Sequence, residues 1–375
     1  MAKTAQDVLP SPLPGGSWKR SLTARLLAWF HRHQRDLPWR RTSDPYQIWI
    51  SEIMLQQTQV ATVIPYFERF IAGFPTVVKL AQADESEVLR LWEGLGYYRR
   101  ARQLHRAARV VVERHGGEFP RSLDEVCQLP GIGRYTAGAI VSIAFDEAAP
   151  IVEANTVRLF SRLIGSCDDP TSTAGRRLLW RVAEAVLPAR DCGVFNSALM
   201  ELGSQVCTPR NPDCEGCPVS TLCIAHQRGQ QDRIPCMPSK AASEAVREAA
   251  VIVWRKKTIL LRRREAHERW AGLWDFLRFP LAARNSEALG RELLEKVQLH
   301  SGLAVQPPQK IATIKHGVTR FRITLDCYTT RVNGEKARLA AGEWRWVRVD
   351  ELEQYPLSMT GRKLSRLLLA EQAAR

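Results

Sequence analysis

The stretch LPGIGRYTAGAI, residues 129–140, lies between two segments of helical periodicity, and its paired glycines, Gly131 and Gly133, let the backbone turn tightly beside a helix start. Amides exposed at such a turn bind a phosphate oxygen. Outward from it, apolar residues recur at spacings of three and four from Ser21 to about Ala225, as in Leu22, Leu26, Leu27 and Phe30, or Val141, Ile143, Ala144 and Phe145. This part reads as all helical. Asp44-Pro45 reads as a cap and first-turn proline opening a helix through Ile48, Trp49, Ile50, Ile53 and Met54.

Past Cys223 the pattern gives way to a stretch rich in Gln, Pro, Ser and charge, read as a linker over 226–246. Beyond it the period becomes that of strands. Ala250 to Trp254 and Thr258 to Leu261 flank Arg255-Lys256-Lys257 as a hairpin, and Phe321, Ile323, Leu325 and Cys327 alternate with polar residues. With a helix through Leu289, Leu293, Leu294 and Val297 and another near the C-terminus, 247–375 reads as a small α+β domain after a helical domain at 21–225 and a flexible tail at 1–20.

The chain has 375 residues, 45% apolar and 25% charged, the balance of a globular protein. No run reaches the roughly 18–20 apolar residues of a membrane helix, and the N-terminus lacks the apolar core of a signal peptide. A cytoplasmic protein is expected, associated with the nucleoid. Lys and Arg outnumber Asp and Glu by 54 to 39, a net charge of +15 that favours a polyanionic partner.

Of nine cysteines, Cys207, Cys214, Cys217 and Cys223 form C-x6-C-x2-C-x5-C among turn-forming prolines and a glycine. Four thiolates suit zinc or an iron–sulfur cluster. Structural zinc usually takes two short C-x2-C knuckles, and the single short pair here leans towards iron–sulfur.

The same spacing resembles the [4Fe–4S] loop of the endonuclease III superfamily of DNA glycosylases, and residues 129–140 resemble that superfamily's helix–hairpin–helix. Its strand-cutting members carry a lysine after the hairpin's Gly-Arg, where this chain has Tyr135. Without an amine, lyase chemistry is not expected. Tyr135 resembles the adenine-specific, MutY-type branch instead. So do RDLPWR at 35–40, WISEIMLQQTQV at 49–60, GLGYYRRA at 94–101 and FNSALMELGSQVCTP at 195–209. WAGLWDF at 270–276 resembles the Nudix-like domain of that branch, and the resemblance runs from Trp18 onward.

Releasing a purine from deoxyribose requires an acid for the base and a negative charge for the oxocarbenium-like sugar. Glu52, among Ile50, Ile53, Met54 and Leu55, sits where burial would raise its pKa, and it matches the family's catalytic glutamate. Glu153 stands where the family carries Asp in Asp-Gly-Asn, a departure that keeps the charge and adds a methylene; Asn155 and Tyr135 are its expected neighbours. By the same matching, Gln57 and Tyr97, with Thr58 and Leu95 beside them, would surround the opposite base, and Trp39, Arg40 and Ser197 would border the adenine pocket. In the Nudix-like domain, Arg291 to Lys296 offers Lys where a magnesium-binding Glu would end the motif, which speaks against hydrolysis. Val318-Thr319-Arg320 occupies the place of the family's lesion-reading loop, Thr319 offering a hydroxyl and Arg320 a phosphate or base-edge contact.

The resemblance implies a monofunctional glycosylase removing adenine mispaired with 8-oxoguanine or guanine in double-stranded DNA, acting as a monomer with a [4Fe–4S] cluster. Two rivals are an endonuclease III-like lyase and an iron–sulfur damage-binding protein without glycosylase activity. Tyr135 and the C-terminal domain argue against the first, Glu52 against the second.

Overall fold

The computed structural model describes residues 15–238, 243–283, 285–318, 320–334 and 339–373. Packing divides the chain into two compact units. One comprises the chain up to Ala81 together with Arg106 to the segment after the cysteines; the other comprises Gln82–His105 with the C-terminal third. The sequence boundaries placed Gln82–His105 within the helical domain, because periodicity reports which face of a helix is buried and not what covers it.

The first unit is helical. A helix begins at Gly16, inside the stretch read as a tail, and runs to His33; Leu22, Leu26, Trp29 and Phe30 pack with the helices Ala154–Ile164, Thr173–Val186 and Cys192–Gln205. The helix Pro45–Leu55 starts as expected: the Asp44 carboxylate accepts from the Tyr46 amide at 2.9 Å with Pro45 in the first turn. Eight of its residues are buried, so it is a central helix with no water-facing stripe. Helix Arg134–Phe145 packs on it and on Cys192–Gln205. Asp146 ends that helix in a left-handed conformation, and its carboxylate accepts from the amides of Asp191 and Gly193, so one side chain joins two helix ends. Among the described residues no helix is long and apolar enough to cross a membrane.

The segment read as a linker is partly built into this unit. Ile224–Gln227 is helical, Ile234 is buried, and the Ile234 carbonyl accepts from Arg162 Nε at 2.9 Å.

In the second unit seven strands among the described residues form one sheet: β1 Glu244–Arg255, β2 Thr258–Arg263, β3 Trp274–Asp275, β4 Leu277–Pro280, β5 Gln309–Val318, β6 Phe321–Arg331 and β7 Trp344–Arg348. The expected hairpin joins β1 to β2 across Lys256-Lys257, with Arg255 opposite Thr258. β1 also pairs in parallel with β6 from Glu244↔Phe321 to Trp254↔Arg331. Both sheet faces are covered: Ala249, Val251 and Val253 pack with Leu293 and Val297 of the helix Ser286–Ser301, while Ala250 and Ile252 pack with Leu364 and Leu368 of the helix Met359–Ala373. The period-two alternation of β1 is what allows this division.

Candidate active site

The hairpin is as the sequence describes it. Helix Leu123–Cys127 leads into the turn and Gly133 caps the next helix. Gly131 has φ 78°, a left-handed conformation that favours glycine, and is exposed, while Ile132 between the glycines is buried and anchors the loop. Gly133 has φ −96°, and a methyl built on it would meet no atom within 4 Å. No described residue demands glycine there, whereas close approach of a ligand to the backbone would.

Glu52 lies in the central helix with only 5% of its surface exposed, and its Oε2 accepts from Tyr135 Oη at 2.6 Å. Burial pushes its pKa up to about 7; the Tyr135 hydrogen bond and Arg40 pull down, and the nearby Glu153 adds to the rise. Tyr135, from the first turn after the hairpin, also reaches Met200 Sδ at 3.3 Å. Burial first, then the two glutamates, hold its hydroxyl well above the usual range, so it stays protonated and donates.

Glu153 caps the helix Ala154–Ile164. Its Oε2 accepts from the Asn155 amide at 2.8 Å and its Oε1 from the Thr156 amide at 2.9 Å, while its own amide donates to Thr156 Oγ1. The extra methylene of Glu is taken up by folding the carboxylate back over the helix end. Burial raises its pKa against the opposing pull of the Asn155 and Thr156 amides and of Arg158. Asn155 Oδ1 accepts from Arg158 Nη2 at 2.9 Å.

Glu201 was not singled out from the sequence. It is 1% exposed and binds Arg35 through both carboxylate oxygens at 2.7–3.1 Å and Arg40 Nη2 at 2.8 Å. Burial opposes ionisation, yet the two guanidinium groups hold its pKa at about 2. A charged residue amid Leu199, Met200 and Leu202 was the available signal, the same one that marks Glu52. Arg40 is therefore engaged with Glu201 and lies over the Phe30 ring, and Trp39 is buried edge-on to Phe67. Ser197 sits one turn before Met200 and Glu201 on the same helix, partly buried.

Two residues expected around the opposite base adopt conformations that favour glycine: Gln57 at φ 58°, exposed, and Tyr97 at φ 47°, with 48% of its surface exposed. Such strain in exposed side chains concentrates at functional sites. Thr58 hydrogen-bonds the Gln56 carbonyl. Leu95 is buried, so its side chain packs inside and its carbonyl accepts from Arg100.

Cys207, Cys214, Cys217 and Cys223 line one cavity with Leu159, Val206 and other residues. Arg162 Nη1 approaches Cys207 Sγ at 3.3 Å, a positive charge suited to a thiolate-bound group. Burial first, then the neighbouring sulfurs, push the Cys217 thiol up to about 12, a cost removed when a metal takes the proton's place. Four thiols bordering one cavity supply the donor set of an iron–sulfur cluster.

In the second unit Glu292 accepts from the Ala282 and Ala283 amides and pairs with Lys296 at 2.7 Å, so this carboxylate ties the segment before the helix to the helix itself. Arg320 is exposed at the β5–β6 turn, over the Phe321 ring. Thr319 lies outside the described residues.

Residues 50–185 match the family model described as HhH-GPD superfamily base excision DNA repair protein, 207–223 the iron-sulfur binding domain of endonuclease III, and 249–367 the NUDIX domain. The protein thus carries a [4Fe–4S] cluster, and the matched stretch begins at Cys207 and ends at Cys223. The chain is 36% identical to the adenine DNA glycosylase of Rattus norvegicus, covering 91% of this chain and 77% of the relative. It is 35% identical to that of Homo sapiens, covering 92% and 74%. Among solved structures, a thermostable thymine-DNA glycosylase superposes with a TM-score of 0.53 at 33% identity, covering 56% of this chain and 98% of that one.

Proposed function

Because the chain belongs to the adenine DNA glycosylases of base excision repair, we propose that it hydrolyses the N-glycosidic bond of adenine mispaired with 8-oxoguanine or guanine in duplex DNA and leaves the strand uncut. The observation that carries this reading is the dehydrated pair Glu52–Tyr135, at 2.6 Å, with the Glu153 charge beside it.

In this reading Glu52 is the general acid. A pKa of about 7 keeps a proton available near neutral pH for the leaving adenine, matching acid to task. The Tyr135 hydroxyl orients the carboxyl, and in the position where strand-cutting relatives place an amine it offers no Schiff-base nucleophile. Glu153, fixed by two amides, faces the positive charge that develops on the sugar, and Asn155 holds Arg158 beside it. Trp39, Arg40 and Ser197 shape the adenine pocket through the wall that Glu201 ties together. Gln57 and Tyr97 fill the stack around the opposite base, with Thr58 and Leu95 supporting them from within. Gly131 and Gly133 take a phosphate, and Thr319 and Arg320 read the lesion. The cluster organises the loop 207–223 that carries it.

A single-turnover assay on duplexes with A opposite 8-oxoguanine, G and T, quenched with and without hot alkali, tests this. Breaks that appear only after alkali, and only for the first two duplexes, are expected. Breaks without alkali would overturn the monofunctional assignment, and equal release opposite T would overturn the mispair assignment.

A further inference from the structure

Two polar side chains beyond the last cysteine of the loop border the cluster cavity. His226 and Gln231 line it together with Cys207, Cys214, Cys217 and Cys223. Nδ1 of His226 and Oε1 of Gln231 are both shut off from water, and neither has a hydrogen-bond partner among the described residues. They border one cavity and do not bond each other. Buried polar atoms in folded proteins are nearly always paired, so two orphans on the wall of a single cavity mark where a further hydrogen-bonding group belongs.

Both residues fall in the stretch read from composition as a linker, yet the chain there is firmly placed. Ile224–Gln227 makes one helical turn directly after Cys223, the Gln227 amide donating to the Cys223 carbonyl at 3.1 Å. Gly229, at φ 62°, then reverses the chain, and the Gln230 amide donates to the Ala225 carbonyl at 2.7 Å, which returns Gln231 to the cavity. Ala225 is fully buried, and Ile224 packs so closely on the end of helix Ala154–Ile164 that a methyl built on Gly165 would lie 2.5 Å from Ile224 Cγ2. Arg162 of the same helix donates to the Ile234 carbonyl at 2.9 Å and holds the segment beyond Gln231. Adenine release as described uses neither His226 nor Gln231.

We propose that His226, through Nδ1–H, and Gln231, through its side-chain amide, donate hydrogen bonds to sulfur atoms of the cluster. For Gln231 the amide turns over, so that Nε2 takes the place of Oε1, an exchange that leaves the shape of the side chain unchanged. Arg162, whose Nη1 lies 3.3 Å from Cys207 Sγ, is the charged member of the same set. A thiolate-bound cluster gains negative charge on reduction, so N–H dipoles aimed at its sulfurs favour the reduced form and raise the potential, and they steady the groups that hold the iron. The two residues therefore set the redox poise of the cluster and slow the loss of its iron.

The holoprotein is compared with His226→Leu and Gln231→Met, each of which keeps bulk and loses the N–H, by protein-film voltammetry and by the decay of visible absorbance under an iron chelator. Each substitution is expected to lower the midpoint potential of the cluster, the double variant further than either, and to speed iron loss about 10-fold. His226→Asn, whose amide nitrogen lies about as far along the side chain as Nδ1, should return the potential to the parent's value. Potentials equal to the parent's in the variants that load iron would overturn the proposal, even with faster iron loss or a lower Tm, because altered packing alone produces those. An Asn variant that fails to load iron, or that behaves as His226→Leu does, would overturn the assignment of His226 Nδ1 as a donor.

Discussion

Glu52 keeps its proton near neutrality because its carboxyl lies out of water, which makes it both the proposed acid and a source of instability. Its folded pKa of about 7 exceeds the ordinary 4.5. The folded state therefore binds the extra proton between those values, and stability falls as pH rises through that window. Glu52→Gln removes the cost: its Tm should match the parent's at pH 4.5 and exceed it at pH 8, by up to roughly 3 kcal/mol in stability. The same change should slow adenine release about 10²–10⁴-fold in single turnover. For the parent, the chemical step should decline as pH rises above 7; a rate flat to pH 9 would remove Glu52 from the acid's role. The sequence exposed this residue because a charge among Ile50, Ile53 and Met54 has no cheap structural reason to be there. Glu201 carried the same signal, but its partners Arg35 and Arg40 lie more than 160 residues away along the chain and meet it only in the fold.

Two glycines at helix starts separate packing from binding. At Gly193 a methyl would lie 2.4 Å from the Ser142 carbonyl oxygen, in the contact between helices Cys192–Gln205 and Arg134–Phe145. Gly193→Ala should therefore destabilise by about 1–3 kcal/mol, read by denaturant titration. Gly133→Ala points into open space. It should cost less than about 1 kcal/mol yet weaken binding to mispaired duplex several-fold in an equilibrium assay, whereas unchanged affinity would show that the hairpin does not hold a phosphate. Helix starts of this kind were legible, Asp44-Pro45 and Gly131 to Gly133 among them, because capping chemistry is local. That Glu153 spends both carboxylate oxygens on the first turn of Ala154–Ile164 was not, since the sequence shows a longer side chain but not where it folds. The parallel pairing of β1 with β6 was equally hidden, alternation being the same for either strand direction.

Across the whole chain, a net charge of +15 should make DNA binding steeply salt-dependent. Six phosphate contacts would lose about 10³-fold in affinity between 50 and 200 mM salt, and a flat titration would contradict the electrostatic footprint. The C-terminal unit adds a positional effect. Glu93 accepts from Arg362 Nη2 at 2.8 Å and from the Leu357 amide at 3.2 Å, and Tyr98 Oη donates to the Leu357 carbonyl, bracing the turn that strains Tyr97. Arg362→Met should raise KM for mispaired duplex several-fold while changing kcat little, measured under multiple turnover; equal effects on both would deny the turn a role in holding DNA. Motif spacing located Tyr97 but could not show that Gln82–His105 belongs with residues from the far end of the chain. This discontinuity also bears on how the protein is made. Synthesis at about 5–20 residues per second brings Arg362 out roughly 15–55 s after Glu93, so the helices around Tyr97 must wait without their partner until Arg362 has been made.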